Sequence, residues 1–139
     1  MPTRNTKNIA IVYGTYHHTE VMQMLEAVRK DAGKKKVKIV KEVPVPGSME
    51  KPLAVKRLLL EEQVDAIVVL GIIEKGETQH GFVMGEAVIK SLIDLQLEFM
   101  TPIGVAILGP DIQPSQITSR LVPYALNAFN AACHMLNNP

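Results

Sequence analysis

The segment at residues 71–80, GIIEKGETQH, gathers the residue types in this sequence that are best suited to chemistry. It leaves a long apolar run and enters a stretch with helical spacing, where Gly76 frees the backbone. The N–H groups of residues 77–79 would then point from the positive end of a helix, which favours phosphate, and the Thr78 hydroxyl adds a donor. His80, one turn into this helix, has a side chain that works as an acid or base near neutral pH. The segment therefore predicts an anion site with an acid–base group beside it.

Three other loops carry candidate binding residues, each with a plainer alternative. Tyr16 is one of only three Tyr and three Phe residues in the chain, and its ring could stack on a flat ligand or pack over a sheet edge. Ser48 and Glu50 could bind a polyol, or serve as the cap and the first-turn charge of a helix. Arg120 could hold phosphate through paired hydrogen bonds or lie on the surface. The residue types alone leave these alternatives open.

A parallel sheet is the element that would bring these loops together. Apolar runs predict strands at residues 9–13, 37–43, 65–73 and 103–108. Helical spacing predicts one helix capped by Thr19, one with Pro52 in its first turn, and others over 79–98, 114–121 and 124–137. The helix over 79–98 is expected to bury Val83, Ala87, Val88, Leu92 and Leu95. Alternating strands and helices indicate parallel pairing with right-handed crossovers, and three strands read as buried on both faces. We therefore predict an α/β three-layer sandwich with a four-stranded parallel sheet in flavodoxin-like order, whose ligand binds beyond the carboxyl ends of the strands.

Length and composition limit the class of protein. The 139 residues suit a single domain over 1–139, with residues 1–8 as a loose lead-in. A net charge of +1 gives no broad positive field for nucleic acid or for an anionic membrane, and no apolar run approaches the length of a membrane span. The single cysteine, Cys133, forms no intrachain disulfide, and no signal-peptide pattern opens the chain, so we expect a cytoplasmic protein. The spacings typical of metal sites, P-loops and serine nucleophiles do not occur.

At the same loops the sequence resembles the lumazine synthase family of riboflavin biosynthesis, in its short archaeal form. The segments that carry the resemblance are IAIVYGTY, VPGSMEKPLAVKRLL, VDAIVVLGIIEKGETQHGFV, and TPIGVAILGP followed by QITSR. The resemblance implies condensation of 5-amino-6-ribitylaminouracil with 3,4-dihydroxy-2-butanone 4-phosphate, with release of phosphate, and no metal or organic cofactor. It also implies a homopentamer with sites between neighbouring subunits, which in some members builds a capsid of twelve pentamers.

The resemblance also assigns roles to ten residues. It implies that His80 is catalytic, and that substrate is bound by Tyr16, which stacks on the pyrimidine, by Ser48, Met49 and Glu50 along the ribityl chain, and by Ile72 and Ile73. It implies that Glu77, Thr78 and Arg120 bind phosphate. The chain departs from the family pattern at His17, where Asn is common, at Met49, where an aromatic or bulky apolar residue is common, and at Lys51, where an apolar residue is usual. It also lacks the Lys that many members carry shortly after the Arg.

Three alternatives share this fold. An archaeal-type riboflavin synthase would dismutate two lumazines and need no phosphate site. A protein of a different class would be a non-catalytic lumazine- or flavin-binding scaffold, or a shell protein. The GETQH segment with His80 favours lumazine synthase over the riboflavin synthase. A flavodoxin-like FMN module is disfavoured because the first loop, GTYHHT, lacks the Ser/Thr-rich phosphate loop of that class.

Overall fold

Four parallel strands lie between two layers of helices. A computed structural model describes residues 6–61, 63–74 and 77–138. The strands are β1 (Lys7–Gly14), β2 (Val37–Val45), β3 (Ala66–Glu74) and β4 (Ile103–Ile112). The helices are α1 (His18–Ala32), α2 (Lys51–Leu59), α3 (His80–Phe99), α4 (Pro114–Ile117) and α5 (Leu121–Asn137), with 3₁₀ turns at Ser48–Glu50 and Thr118–Arg120. The sheet order β2-β1-β3-β4, with every pair parallel, confirms the predicted flavodoxin-like sandwich.

The sheet separates two apolar clusters, which explains the run of apolar residues in its inner strands. Every residue of β3 from Ala66 to Ile73 is buried, because helices cover both faces of this strand. Helices α1 and α5 pack on one face, against residues such as Ile11 and Leu70. Helices α2 and α3 pack on the other face, against residues such as Val12 and Val69. Strand β2 lies at the sheet edge, as its alternating sequence predicts.

Several predicted boundaries move for local reasons. Strand β1 begins at Lys7, so the last two residues of the predicted lead-in belong to the sheet, where the Asn8 N–H donates to Asp65 Oδ2 at 2.7 Å. Residues 1–5 lie outside the described residues. Thr19 does not cap α1, because the helix already begins at His18. Helix α5 begins at Leu121, and Pro123 lies in its first turn, where a missing N–H costs nothing.

Two predictions about the second half of the chain are wrong. Val88 and Leu92 on α3 are buried and Leu95 is half-buried, but Val83 is 62% exposed and Ala87 is exposed as well. The strand predicted over 103–108 does not end there, since β4 runs on to Ile112. Gly109 makes this possible: its φ of 95° suits glycine, and a Cβ there would overlap the Ile73 carbonyl oxygen. Strand β4 therefore stays close to β3 up to the carboxyl edge of the sheet.

Candidate functional site

A shallow pocket at the carboxyl edge of the sheet brings half of the predicted site residues together. Its volume is about 310 Å³, and it is lined by Tyr16, His17, Ile72, Ile73, Glu74, Thr78, His80, Gly81 and Met84. Five of these residues were predicted to bind substrate or to act on it: Tyr16, Ile72, Ile73, Thr78 and His80. They come from the loop after β1, the end of β3 and the start of α3, which are the places where a parallel sheet puts its ligand.

The first wall of the pocket is an aromatic pair held by a carboxylate. The Tyr16 ring is 72% exposed and meets the His17 ring edge to face, with centroids 4.9 Å apart. His17 has a left-handed φ of 55°, and its Nε2 lies 3.3 Å from Glu74 Oε2. This contact ties the loop after β1 to the end of β3. His17 is therefore half-buried in the site, whereas His18 is exposed on α1.

The opposite wall is the start of α3. His80 is the first residue of this helix, not one turn into it, and its side chain is exposed. Its backbone N–H donates to Thr78 Oγ1 at 3.3 Å, so the Thr78 hydroxyl keeps its own proton to donate elsewhere. The first turn of α3 carries no acidic residue that would offset its positive end. The wall can thus bind an anion and move a proton beside it; Gly76, which was predicted to free this backbone, lies outside the described residues.

Ser48 lies at the same edge of the sheet, on the α2 and α3 side, with a partner that the sequence reasoning missed. Its buried hydroxyl does not cap a helix but accepts a hydrogen bond from Lys51 Nζ at 3.1 Å. Lys51 is only 1% exposed, and its amine occupies the space that a Cβ at Gly71 would fill. Burial lowers the pKa of Lys51 to about 8, with the Glu50 carboxylate opposing the shift. Glycine inside strand β3 was the available signal, because it indicates a close approach of another group.

Besides Ser48, four predicted residues do not line the pocket within one chain. Met49 and Glu77 are exposed, and Glu50 lines a separate groove between β2 and α2. Arg120 is exposed at the end of a 3₁₀ turn, and its Nη1 donates to the Gln116 carbonyl oxygen at 3.0 Å. The predicted phosphate-binding group is therefore split between Thr78 inside the pocket and the two charged residues outside it.

Among the described residues, no three His, Cys, Asp or Glu side chains are grouped as metal ligands would be. Within the same part of the chain, no helix is both long and apolar enough to cross a membrane. Cys133 is buried in α5, and this burial raises the pKa of its thiol, as suits a core residue.

The fold and the pocket define an α/β protein with a cleft where its parallel strands end, which is the place where such sheets bind ligands. The chain belongs to the 6,7-dimethyl-8-ribityllumazine synthase family, whose model matches residues 6–139. It is 34% identical over 113 residues to the 6,7-dimethyl-8-ribityllumazine synthase of Picrophilus torridus, covering 81% of this chain and 83% of that protein. The protein of the same name from Saccharolobus solfataricus is 30% identical over 128 residues, 92% of this chain and 83% of its own length. The protein of that name from Metallosphaera sedula is 41% identical over 91 residues, which cover 66% of this chain and 60% of that protein. The predicted resemblance is confirmed.

Proposed function

We propose that this chain is a lumazine synthase of riboflavin biosynthesis, a transferase that joins 5-amino-6-ribitylaminouracil to 3,4-dihydroxy-2-butanone 4-phosphate. The observation that carries the proposal is the convergence of Tyr16, Thr78 and His80 on one pocket, in a chain that belongs to the family along almost its whole length. Both the family description and the names of the relatives favour this function over the riboflavin synthase alternative.

The reaction needs positioning more than an activated nucleophile. The 5-amino group of the pyrimidine attacks the ketone carbon of the butanone phosphate, and one water leaves as the imine forms. Phosphate is then eliminated, and attack of the ribitylamino nitrogen on the remaining carbonyl closes the ring and releases a second water. Tyr16 stacks on the pyrimidine, and the backbone of Ile72 and Ile73 meets its edge. Holding two reactants in this way supplies much of the rate enhancement. Because the amine is already nucleophilic, the absence of a serine or cysteine nucleophile from the pocket lining fits the chemistry.

The phosphate and the protons are handled at the start of α3. The positive helix end and the Thr78 hydroxyl bind the phosphate. Hydrogen-bond donors there stabilise the negative charge that develops on the phosphate as it leaves. His80 stands one residue beyond the N-cap of the helix, within the same pocket, and transfers protons as water and phosphate leave. The phosphate subsite is completed by Glu77 and Arg120, and the ribityl subsite by Met49 and Glu50.

We infer that a second subunit supplies the residues that this pocket lacks, in a homopentamer. Helices α2 and α3 leave a set of large apolar side chains exposed: Leu53, Phe82, Val83, Ile93 and Leu97. Exposed apolar patches of this kind mark interaction surfaces, and a pentamer would cover them. The position of Arg120 outside the pocket of its own chain supports a role in a neighbouring site. Light scattering of the purified protein separates a pentamer from a capsid of twelve pentamers and from a monomer, and a monomer would contradict the inference.

The test of function is a direct turnover assay. The purified protein is mixed with the ribitylaminouracil and the butanone phosphate, and lumazine absorbance is followed against the uncatalysed rate. No acceleration would overturn the proposal. Riboflavin formed from lumazine alone would favour the riboflavin synthase alternative, and tight lumazine binding without turnover would favour the binding scaffold. We propose the cytoplasm as the compartment, since the single buried Cys133 requires no oxidising environment.

A further inference from the structure

Lys51 is a buried amine that none of the roles above explains. It opens α2 directly after the Ser48–Glu50 turn, and its amine reaches the sheet between β1 and β3. Its amine lies over Gly71 of β3 and 3.5 Å from where a Cβ at Gly14 of β1 would stand. Tyr13 and Leu70, the residues before these two glycines, pair across β1 and β3. Two neighbouring strands therefore leave room for one amine.

The hydrogen bond from Lys51 determines whether the Ser48 hydroxyl can donate a hydrogen bond to another group. A protonated lysine has three N–H donors and no acceptor, so the hydroxyl oxygen of Ser48 must accept. With its oxygen engaged by the amine, Ser48 can direct its own proton only to another acceptor. A neutral amine can instead accept the Ser48 proton and compete with any other acceptor. The protonation state of one side chain thus sets the hydrogen-bonding direction of the other.

We propose that Lys51 is a positioning residue that makes Ser48 a hydrogen-bond donor to an oxygen of the polyol-bearing substrate. This inference rests on the proposed function, in which the segment 48–50 binds the ribityl chain. Ser48 is the link because it retains some exposure at the edge of the sheet, whereas Lys51 is sealed beneath it.

The free-energy cost of burying the Lys51 amine supports a functional reason for its position. Burial lowers the pKa of Lys51 to about 8, so the fold holds this charge at the expense of stability. Around the amine, Glu50 contributes the carboxylate that acts on it, Ser48 a neutral hydroxyl, and the strands at Gly14 and Gly71 no charge. An unbranched apolar side chain would avoid the cost of burying a charge. Costly titratable groups concentrate at ligand sites, and this one touches a residue of the predicted site.

The test measures binding of 5-amino-6-ribitylaminouracil by titration calorimetry across about pH 6.5 to 9.5, with the whole protein. The wild type should bind about fivefold more tightly below the lysine transition than above it, since one hydrogen bond is gained. Lys51→Met has no amine to titrate, so its binding should not vary with pH across this range and should stay weaker than that of the wild type below the transition. In steady-state assays it should raise KM for the pyrimidine and leave kcat and KM for the butanone phosphate unchanged. Lys51→Gln keeps a donor without a charge, so its profile should be flat even if the Met variant folds poorly.

Ser48→Ala supplies the matched test of the route through Ser48. This variant should lose the same pH dependence, and adding Lys51→Met to it should change binding no further. Lys30→Met, which removes an exposed lysine from α1, is the control and should retain the wild-type profile. The inference would be overturned if Lys51→Met and Lys51→Gln kept the pH dependence of wild-type binding, or if the binding losses added in the double variant. Normal turnover in that case would leave the proposed function standing. A wild type that neither binds the pyrimidine nor turns over would overturn both.

Discussion

Replacing Lys51 with Met should change how the stability of the protein depends on pH. The ordinary pKa of a lysine is 10.5, and burial lowers that of Lys51 to about 8. In the range between these values the unfolded chain holds the proton and the folded chain does not. The unfolded state then binds more protons, so stability rises with pH. The penalty for burying the charge is fully present below about pH 8 and disappears as the pH passes 10.5.

The size of the effect follows from the same two values. Each pKa unit corresponds to about 1.4 kcal/mol, so the full penalty is about 3 kcal/mol. Between about pH 7 and pH 10 the wild type should recover about 2.5 kcal/mol relative to the Met variant. At neutral pH the variant should be the more stable protein, by less than the full penalty. Met is one atom shorter than Lys and leaves the Ser48 hydroxyl without its donor, which offsets part of the gain.

Urea denaturation followed by circular dichroism measures this difference at each pH. Both proteins must be compared at one subunit concentration, because association stabilises the folded state by mass action. Subtracting the two curves cancels groups common to both, including the Cys133 thiol. Lys30→Met should differ from the wild type by an amount that does not vary with pH. A difference between wild type and Lys51→Met that is equally flat would refute the burial of a charged amine at this edge.

Three further substitutions test the site. Gly71→Ala should destabilise the wild type, because the new Cβ would overlap the Lys51 amine. In the Lys51→Met background the same substitution should cost about 1–2 kcal/mol less in unfolding free energy, measured by a double-mutant cycle. Additive effects would show that the two residues are not in contact. His80→Ala should lower kcat about 100-fold while light scattering shows the assembly intact, and an unchanged rate would remove His80 from proton transfer. Arg120→Ala should raise KM for the butanone phosphate far more than KM for the pyrimidine, whereas equal increases would make Arg120 a structural residue.

The sheet could be predicted because burial on both faces leaves a strong pattern. The run from Ala66 to Ile73 is apolar throughout, and β2 alternates because it lies at the edge. The buried face of α3 was harder, since the helix carries apolar residues on more than one side. Val88 faces the sheet, whereas Val83 faces away from it. Apolar residues at helical spacing indicate an apolar face of the helix, but they do not show whether that face contacts the sheet or a second chain.

The gathering of Tyr16, Thr78 and His80 followed from topology, because loops at the carboxyl ends of neighbouring parallel strands must meet. Contacts between particular side chains did not follow. The pairing of His17 with Glu74 depends on a left-handed backbone at His17, which its residue type does not require. Lys51 reads as an exposed charge in the first turn of a helix. Its burial depends on the space left by glycine on a strand twenty residues further along the chain.

The position of Arg120 outside its own pocket leads to a test by subunit mixing. If each site combines His80 of one subunit with Arg120 of its neighbour, the variants His80→Ala and Arg120→Ala should complement each other when co-expressed in equal amounts. In a random ring about a quarter of the interfaces would then hold both intact residues, so about a quarter of the wild-type rate should return. If both residues serve one site from the same chain, every site in the mixture lacks one of them. No gain over the separate variants would then assign Arg120 to its own subunit and refute the shared site.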